Sequence, residues 1–348
     1  MRIAKPGRRI IPLFIPNYGC EHDCVFCDQR LISGEDVPVS ADDVRRACAL
    51  QYSGNSDVHP RAAEQGQPVE LAFYGGSFTA IPESTQNELL QAAQEVFRYN
   101  ARNSIRISTR PDNIDESTVR RLKSYGVSVI EIGAQSMCDE VLALAGRGHT
   151  AADVERAAGI IKRAELTLIL QMMTGLPGDS AEKARQTAER IAAMKPDGVR
   201  IYPAVIVRGT KLYEMWRRGQ YREHSIDDAV GLCAELCALF EASNIPVIRL
   251  GLNPTDNLSA GDAAAGAYHP AFGELVYSRM YFDRAVAMID RLGGWKSLRI
   301  EVARGHLSKM LGQRRGNYRK LTEKYLPRDI KIVEADIEPG EIMIEITS

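Results

Sequence analysis

Residues 20 to 27 read Cys20-Glu21-His22-Asp23-Cys24-Val25-Phe26-Cys27, and the predictions of fold and function both rest on this stretch. It follows an apolar run that ends at Ile15, and its three cysteines are separated by three and by two residues. Three clustered thiolates can bind three irons of a cubane [4Fe–4S] cluster and leave the fourth iron open to a small molecule. A zinc site is the alternative, because His22 could supply a fourth ligand. The spacing is too tight for a disulfide framework.

The bulk composition indicates a soluble globular protein in a reducing compartment. The chain has 348 residues, of which 45% are hydrophobic and 26% charged, and its formal net charge is −1. No apolar run approaches the roughly 18 residues that a membrane span needs. The basic N-terminus precedes a short apolar run interrupted by Pro12 and Pro16, which is not a secretory signal. Seven cysteines, an odd number, fit a reducing cytoplasm, so we expect a cytoplasmic protein without a membrane segment.

The chain alternates short β-like runs with amphipathic helical patterns, which predicts βα units around a parallel sheet. The predicted strands are Ile10–Ile15, Val69–Phe73, Ser104–Ser108, Val127–Ile132, Leu166–Gln171 and Gly198–Tyr202. The predicted helices between them are Ala41–Gln51, Glu83–Tyr99, Asp115–Ser124, Ala151–Arg163 and Ser180–Met194. Six strands with their crossovers suit an α/β fold, a partial (β/α)6 TIM-like barrel. In such a barrel the chemistry gathers at the carboxyl ends of the strands.

The pattern changes after a further helix at Ile226–Ala242 and a strand-like run at Val247–Leu250. From about residue 264 it predicts a helix, a strand, a second helix and two closing strands. We therefore expect a barrel over residues 1–263, with its cysteine loop at 20–27, and a small α/β extension over residues 264–348.

The cysteine spacing, with Phe26 just before the last cysteine, resembles the motif of the radical S-adenosylmethionine (SAM) superfamily. This resemblance implies that Cys20, Cys24 and Cys27 bind a [4Fe–4S] cluster whose open iron chelates SAM. Reductive cleavage then gives a 5′-deoxyadenosyl radical. An external electron donor such as flavodoxin or ferredoxin is implied. Gly75 and Gly76 follow the second predicted strand, where the family's paired glycines contact SAM, and paired glycines let backbone approach a ligand closely.

A set of ordered segments over roughly residues 10–225 resembles the radical-SAM domain of the catalytic subunit of Elongator, the tRNA-modifying enzyme. The segments are Thr109-Arg110-Pro111-Asp112, Glu131-Ile132-Gly133-Ala134-Gln135-Ser136, Arg147-Gly148-His149-Thr150, Gly175-Leu176-Pro177-Gly178, Ile201-Tyr202-Pro203 and Gly209-Thr210-Lys211-Leu212-Tyr213. Three of them are more distantly similar to oxygen-independent coproporphyrinogen oxidase. No room remains after residue 264 for the acetyltransferase domain that Elongator's subunit carries, so we expect no unaided acetyl transfer.

The same resemblance implies that Gln135 and Arg147 hydrogen-bond the ribose and carboxylate of SAM. A guanidinium binds carboxylate in a bidentate manner, and an amide can bridge ribose hydroxyls. Gln171 stands where the coproporphyrinogen relatives have a ribose-binding aspartate, and it can still hydrogen-bond a ribose. Ser108 replaces a common family glutamate, which puts the detailed geometry of the site in question. His149 either orients its neighbours, donates to substrate or is purely structural.

The segment from Arg304 to Arg328 carries eight Lys/Arg and one acid, a local charge of +7 in a nearly neutral chain. Clustered cations with interleaved tyrosines suit RNA, although a solvated helical face has the same pattern. Our prediction is a radical-SAM enzyme that modifies tRNA or another RNA. The alternatives are anaerobic tetrapyrrole or other small-molecule radical chemistry, and a cluster-bearing binding protein without turnover.

Overall fold

The computed structural model describes residues 9–15, 22–28, 38–52, 68–98, 100–252 and 261–348. Its main sheet contains seven parallel strands in the spatial order β1-β2-β3-β4-β5-β6-β8. These strands are β1 (Arg9–Ile15), β2 (Val69–Gly75), β3 (Ser104–Thr109), β4 (Val127–Gln135), β5 (Thr167–Thr174), β6 (Gly198–Pro203) and β8 (Val247–Leu250). Because each strand is followed by a crossover and lies beside the next in sequence, all the carboxyl ends meet at one edge.

Helices connect the strands and cover the outer face of the sheet. They are α1 (Ala41–Tyr52), α2 (Glu83–Ala93), α3 (Glu116–Ser124), α4 (Asp139–Leu144), α5 (Ala151–Arg163), α6 (Ala181–Ala193), α7 (Lys211–Arg217) and α8 (Ile226–Ala242). Side-chain caps fix several helix starts, since Ser180 and Ser225 each accept a backbone N–H of the first turn and Thr150 forms a capping box with Asp153. A continuous core of buried aliphatic side chains lies between these helices and the strands.

The sheet curls into an open barrel, which a contact between distant strands demonstrates. Arg200 of β6 donates to the hydroxyl of Tyr74 on β2 at 3.1 Å, although three strands separate them. In a flat sheet these two strands would lie about 19 Å apart, too far for the two side chains to meet. The side chains of this face therefore point into a concave lumen, as in a TIM-like partial barrel.

The sequence predicted the order of the elements correctly, with three differences. The main sheet has seven strands rather than six, because Val247–Leu250 pairs in parallel with β6. Helices α4 and α7, and a five-residue helix at Leu307–Leu311 in the C-terminal part, are too short to give a clear periodic pattern, and none of them was predicted. A two-stranded antiparallel ladder, β7 (Val205–Val207) with β9 (Ala263–Gly266), was also missed.

The C-terminal part contains a second, smaller sheet and its own hydrophobic core. The long helix α9 (Phe272–Ile289) leads into β10 (Ser297–Ala303), α10 (Leu307–Leu311), α11 (Gly316–Tyr325), β11 (Asp329–Ala335) and β12 (Ile342–Ile346). Strand β10 lies between β11 and β12. Helix α9 contributes Val276 to the barrel core and Ala285 to the second core, so it joins the two. The predicted division at residues 263 and 264 stays a prediction.

Candidate active site

The cysteine loop is held at the carboxyl edge of the barrel from two sides. The backbone N–H of Val25 donates to the Ala145 carbonyl at 3.1 Å, and the Val25 carbonyl accepts from Leu212 of α7 at 2.6 Å. Phe26 packs into two separate hydrophobic clusters beside these contacts. Two main-chain hydrogen bonds and a half-buried aromatic therefore fix the loop that presents the thiols.

Two of the three predicted cluster ligands lie within this loop, in one tight turn. The backbone N–H of Cys27 donates to the Cys24 carbonyl at 3.1 Å, and Cys24 is buried. Cys20 lies outside the described residues. Within the part of the chain that is described, no three His, Cys, Asp or Glu side chains gather as a metal site. The assignment of the three cysteines as cluster ligands thus stays a prediction.

Arg147 links the cysteine loop to strand β4. Its Nη1 donates to the Sγ of Cys24 at 3.3 Å, and its Nη2 donates to the Gly133 carbonyl at 2.8 Å. The side chain is buried, and its Nε finds no hydrogen-bond partner among the described residues. A buried cationic donor without a partner favours an acidic or polar ligand at this position.

Gln135 ends β4 in a conformation that aims its amide toward the neighbouring strand. Its φ is +64°, in the left-handed region, and the β4–β5 register shifts between Gly133 and Gln135. This bulge lets Gln171 of β5 donate through Nε2 to the Gln135 Oε1 at 3.3 Å. An added Cβ on Gly133 would lie 2.9 Å from the Gln135 Nε2, so a side chain at this position would displace the amide.

Three of the predicted SAM contacts therefore lie in one continuous group of side chains. Arg147, Gln135 and Gln171 surround the end of β4 through Gly133, although they come from separate segments of the chain. Together they offer a guanidinium and two amides at the carboxyl edge of the sheet. Their role in binding SAM is not tested by these contacts and stays a prediction.

The glycine pair occupies the same edge at the ends of β1 and β2. The Gly76 N–H donates to the Ile15 carbonyl at 2.6 Å. Gly75 has a φ of +99°, and a Cβ there would lie 2.8 Å from the same carbonyl oxygen. Only glycine suits this position, because the backbones of the two strand ends touch directly. This tight junction lies just before the segment that leads to the cysteines.

His149 is a neutral buried imidazole that supports the same strand end. Its Nε2 lies 3.2 Å from the Ala134 carbonyl, so we assign the proton to Nε2, and Nδ1 has no partner in the described structure. Burial, followed by the nearby charge of Arg147, lowers the pKa of His149 to about 4. The imidazole thus fixes the backbone between Gly133 and Gln135 and carries no charge near neutral pH.

A ladder of buried charges crosses the lumen, and sequence reasoning missed it. Arg106 Nε lies 2.7 Å from Glu70 Oε1, and Arg106 Nη1 lies 3.3 Å from Glu131 Oε2. The same Glu131 oxygen lies 3.1 Å from Arg200 Nη2. Glu70, Arg106 and Glu131 are each at most 9% exposed. The signal was present as charged residues within apolar strand patterns, since a buried charge requires a partner.

The charge ladder ends at a cation, Arg200, whose side chain lies in the lumen. Arg200 donates to the hydroxyls of Tyr74 at 3.1 Å and Tyr202 at 3.3 Å. Burial alone would lower the pKa of Arg200, but the Glu131 carboxylate and the two tyrosine oxygens act the other way, and the pKa is raised overall. Burial also raises the pKa of Tyr202 and of Tyr74. Arg200 therefore stays charged, and both hydroxyls stay protonated.

Ser108 lies on β3 beside this group, in register with Glu131. Its hydroxyl is buried and has no partner among the described residues. A glutamate at this position would place a third carboxylate near Glu70 and Glu131, with Arg106 and Arg200 as the cations beside them. The serine instead leaves the charges of the ladder balanced, two carboxylates against two guanidiniums.

The residues described fit a SAM ligand on their donors and acceptors. The Arg147 Nε and the Ser108 hydroxyl are buried polar atoms that the described residues leave unpaired. Unpaired buried polar atoms of this kind are a feature of a ligand site.

The basic segment 304–328 is exposed on the C-terminal unit. Arg304, Arg314, Arg315, Arg319 and Lys320 are exposed. In the described structure only one cation of this segment, Lys324, lies within ion-pair distance of a carboxylate, that of Asp290 at 2.8 Å. The segment's positive charge is therefore largely available to solvent.

Comparison with known proteins indicates the family. Residues 14–191 match the model of the Radical SAM superfamily, and residues 196–281 match that of the Radical_SAM C-terminal domain. The tRNA uridine(34) acetyltransferase of Methanocaldococcus infernus is 30% identical over 79% of this chain and 56% of its own length. Elongator complex protein 3 of Mus musculus is 28% identical over 75% of this chain and 51% of its own length. The chain thus spans about half the length of the curated relatives it matches.

Solved structures share the fold. Archaeal Methanocaldococcus infernus Elp3 with an N-terminal deletion has a TM-score of 0.60 and 23% identity, over 80% of this chain and 63% of that chain. Coproporphyrinogen III oxidase (HemN) from Escherichia coli has a TM-score of 0.50 and 18% identity, over 69% of this chain and 54% of that chain. At these identities the likeness confirms the partial-barrel architecture. Among the described helices, none is long and apolar enough to cross a bilayer.

Proposed function

The chain belongs to the radical SAM superfamily, and from this premise we propose that it is an RNA-modifying enzyme whose substrate is a tRNA. Membership makes it an enzyme that uses a [4Fe–4S] cluster and SAM. The observation that carries the RNA assignment is the exposed basic segment 304–328. A relative that is named for action on tRNA uridine 34 supports the same substrate class. Acetyl transfer is outside the proposal, because the chain matches only about half of that relative.

The proposed cofactor residues are those at the carboxyl edge of the sheet. Cys20, Cys24 and Cys27 would hold the cluster, and Gly75 with Gly76 would let the backbone approach SAM. When bound, the cluster and SAM would supply the radical chemistry of the superfamily. The side chains of this chain would bind and orient SAM and the substrate, and they would exclude water.

Arg147, Gln135 and Gln171 would fix the carboxylate and ribose of SAM. Arg147 is already oriented by its bonds to Cys24 and Gly133, so little side-chain entropy is lost when its free Nε gains a partner. The Gln135–Gln171 amide pair offers both donors and acceptors to ribose hydroxyls. Neutral His149 would keep the Ala134 backbone in place without adding charge.

The lumen provides the recognition groups for the reacting base. Arg200 is a fixed cation, and Tyr74 and Tyr202 are protonated hydroxyls beside it. A pyrimidine base presents carbonyl oxygens that accept hydrogen bonds from such donors. Because Glu131 balances the Arg200 charge, the lumen favours a neutral polar base over a free anion.

The basic segment would bind the RNA backbone outside the barrel. Arg315 lies 4.7 Å from the Tyr318 ring centroid, and Arg328 lies 4.7 Å from that of Trp295. Guanidiniums that lie over aromatic rings keep their charge, an arrangement that suits phosphate contact. Flavodoxin or ferredoxin would serve as the electron donor, and the cytoplasm would be the site of the reaction.

The test is an anaerobic turnover assay. The cluster is reconstituted, the protein is reduced with dithionite, SAM is added, and 5′-deoxyadenosine is quantified with and without tRNA lacking anticodon modifications. We expect tRNA to increase product formation and to acquire a change in mass at one uridine. Cys24→Ala is the control and should form no product, because it cannot hold the cluster.

Three outcomes would contradict the proposal. If tRNA does not change the amount of 5′-deoxyadenosine formed, RNA is not the substrate. Turnover stimulated by coproporphyrinogen instead would favour the tetrapyrrole alternative. A fully loaded and reduced protein that cleaves no SAM, yet still binds tRNA, would be a binding protein.

A further inference from the structure

A second basic surface lies directly beside the cysteine loop, on and around α7, and it lies far in sequence from the segment 304–328. We define it as the Tyr213 surface, which consists of Arg208, Lys211, Tyr213, Arg217, Arg218 and Arg222. All five cations are exposed. Residues 208–222 carry five Lys/Arg and one acid, Glu214, so the segment has a net charge of +4 in a chain of −1.

Most of this charge is not neutralised. Lys211 lies 2.8 Å from Asp23, and Arg218 lies 3.9 Å from Glu214. For Arg208, Arg217 and Arg222, no carboxylate of the described residues comes within 4.0 Å. By contrast, Arg156 and Arg279, which are exposed on other helices, each lie within 3 Å of a carboxylate. The unpaired charges of Arg208 and Arg217, which lie together at Tyr213, favour an anionic partner.

An aromatic ring lies in the middle of the cations. The guanidinium carbons of Arg208 and Arg217 each lie 5.8 Å from the ring centroid of Tyr213. Arg208 is held in place because Nη1 donates to the Tyr213 hydroxyl at 3.3 Å and Nε donates to the Gly261 carbonyl at 3.1 Å. Cations that surround a tyrosine are typical of surfaces that bind phosphates and stack unpaired bases.

The surface is rigidly attached to the loop that presents the thiols. Leu212 donates its N–H to the Val25 carbonyl at 2.6 Å, and the Lys211–Asp23 pair forms a second tie. A substrate whose reacting atom enters the barrel must keep its neighbouring groups near this rim. For a tRNA those neighbours are the flanking phosphates and unpaired bases of a loop.

We infer that the Tyr213 surface binds the single-stranded loop of the substrate RNA next to the reacting nucleotide. This inference rests on the proposed function, since it names the contact that delivers an RNA to the barrel mouth. Segment 304–328 would bind more distant phosphates. An acidic electron carrier is the other partner that a basic surface near a cluster could attract, and the test below separates the two.

The experiment compares tRNA affinity and its salt dependence in the cluster-loaded protein. The probes are a tRNA transcript and its anticodon stem-loop, each with a fluorescent label. Arg208→Gln/Arg217→Gln removes two unpaired charges, and Tyr213→Leu removes the ring without changing charge. Arg156→Gln/Arg279→Gln is the control, because it also removes two exposed arginines, from other helices.

We expect the Arg208→Gln/Arg217→Gln variant to bind both RNAs about tenfold more weakly near 0.1 M salt. Its plot of log affinity against log salt should be shallower by about 1.4, because roughly 0.7 of slope is lost with each of two phosphate contacts to a single strand. Tyr213→Leu should also weaken binding about tenfold, through lost stacking, with the salt slope unchanged. The control should match wild type within about twofold. If these residues had only a structural role, the two variants would not differ in this way, with one changing affinity and salt slope and the other changing affinity alone.

The outcomes also separate this inference from the proposed function. If wild type binds tRNA and tRNA stimulates its turnover, but the variants bind as wild type does, the Tyr213 surface is not the RNA site while the proposed function stands. If wild type does not bind tRNA, both are wrong. A variant that binds tRNA normally but is reduced more slowly by flavodoxin would assign the surface to the electron donor and overturn the inference. Arg217→Gln alone replaces the double variant if loss of the Arg208–Gly261 contact lowers the iron content.

Discussion

We predict that the free energy of unfolding falls in acid because of His149. The amount of this fall follows from the burial of the imidazole and the charge beside it. In the folded chain, burial and the Arg147 charge lower the pKa of His149 to about 4, against an ordinary value of 6.5. Below pH 6.5 the unfolded chain binds a proton that the folded chain does not, so the free energy of unfolding falls. It stops falling near pH 4, where the folded imidazole is also protonated.

The size of the pKa shift of His149 gives the expected change in the free energy of unfolding. A fall in the pKa from 6.5 to about 4 corresponds to roughly 3 kcal/mol once both states are protonated, and to about 2 kcal/mol at pH 5. His149→Gln removes the titration, while its amide can still donate to the Ala134 carbonyl. We therefore expect wild type to lose about 2 kcal/mol more unfolding free energy than His149→Gln between pH 7.5 and pH 5.

The assay is anaerobic urea unfolding, monitored by circular dichroism at half-unit pH intervals. The comparison between wild type and variant cancels the contribution of all other titrating groups. His22→Gln is the control, because it removes an exposed imidazole and keeps His149. Parallel pH curves for wild type and His149→Gln would refute the reasoning, since they would mean that the folded protein accommodates a charged imidazole at this position.

Two further substitutions test the packing of the site. Gly75→Ala should destabilise the protein by about 3 kcal/mol in the same urea assay, because its Cβ would lie 2.8 Å from a backbone oxygen at a φ of +99°. Gly219→Ala is the matched control: its φ is +69° with open space around it, so about 1 kcal/mol is expected, and equal losses would contradict the proposed collision. Glu131→Gln should cost about 3 kcal/mol by leaving two buried guanidiniums short of a carboxylate. Arg279→Gln, which breaks an exposed pair, should cost less than about 0.5 kcal/mol, and a similarly small loss for Glu131→Gln would show that water compensates the lumen charges.

The local sequence determined most of the secondary structure and the family. The face of each parallel strand that packs against the helices is apolar, and this pattern located β1 to β6 within a few residues. The three cysteines lie within one short loop, so their spacing can be recognised from the sequence without any tertiary information. Short elements were missed for the same reason: the seven residues of α7 are too few to establish a helical period.

Contacts between distant segments were decided only by the tertiary structure. Arg147 meets Cys24 across 123 residues, and the left-handed bulge at Gln135 brings its amide to Gln171 on another strand. The Tyr74–Arg200 contact exists because the sheet curls, which brings together side chains of strands that are not neighbours. Sequence patterns report which face of an element is buried, but not which side chain lies opposite it. The motifs therefore identify the chemistry, and the curvature of the sheet decides which residues surround it.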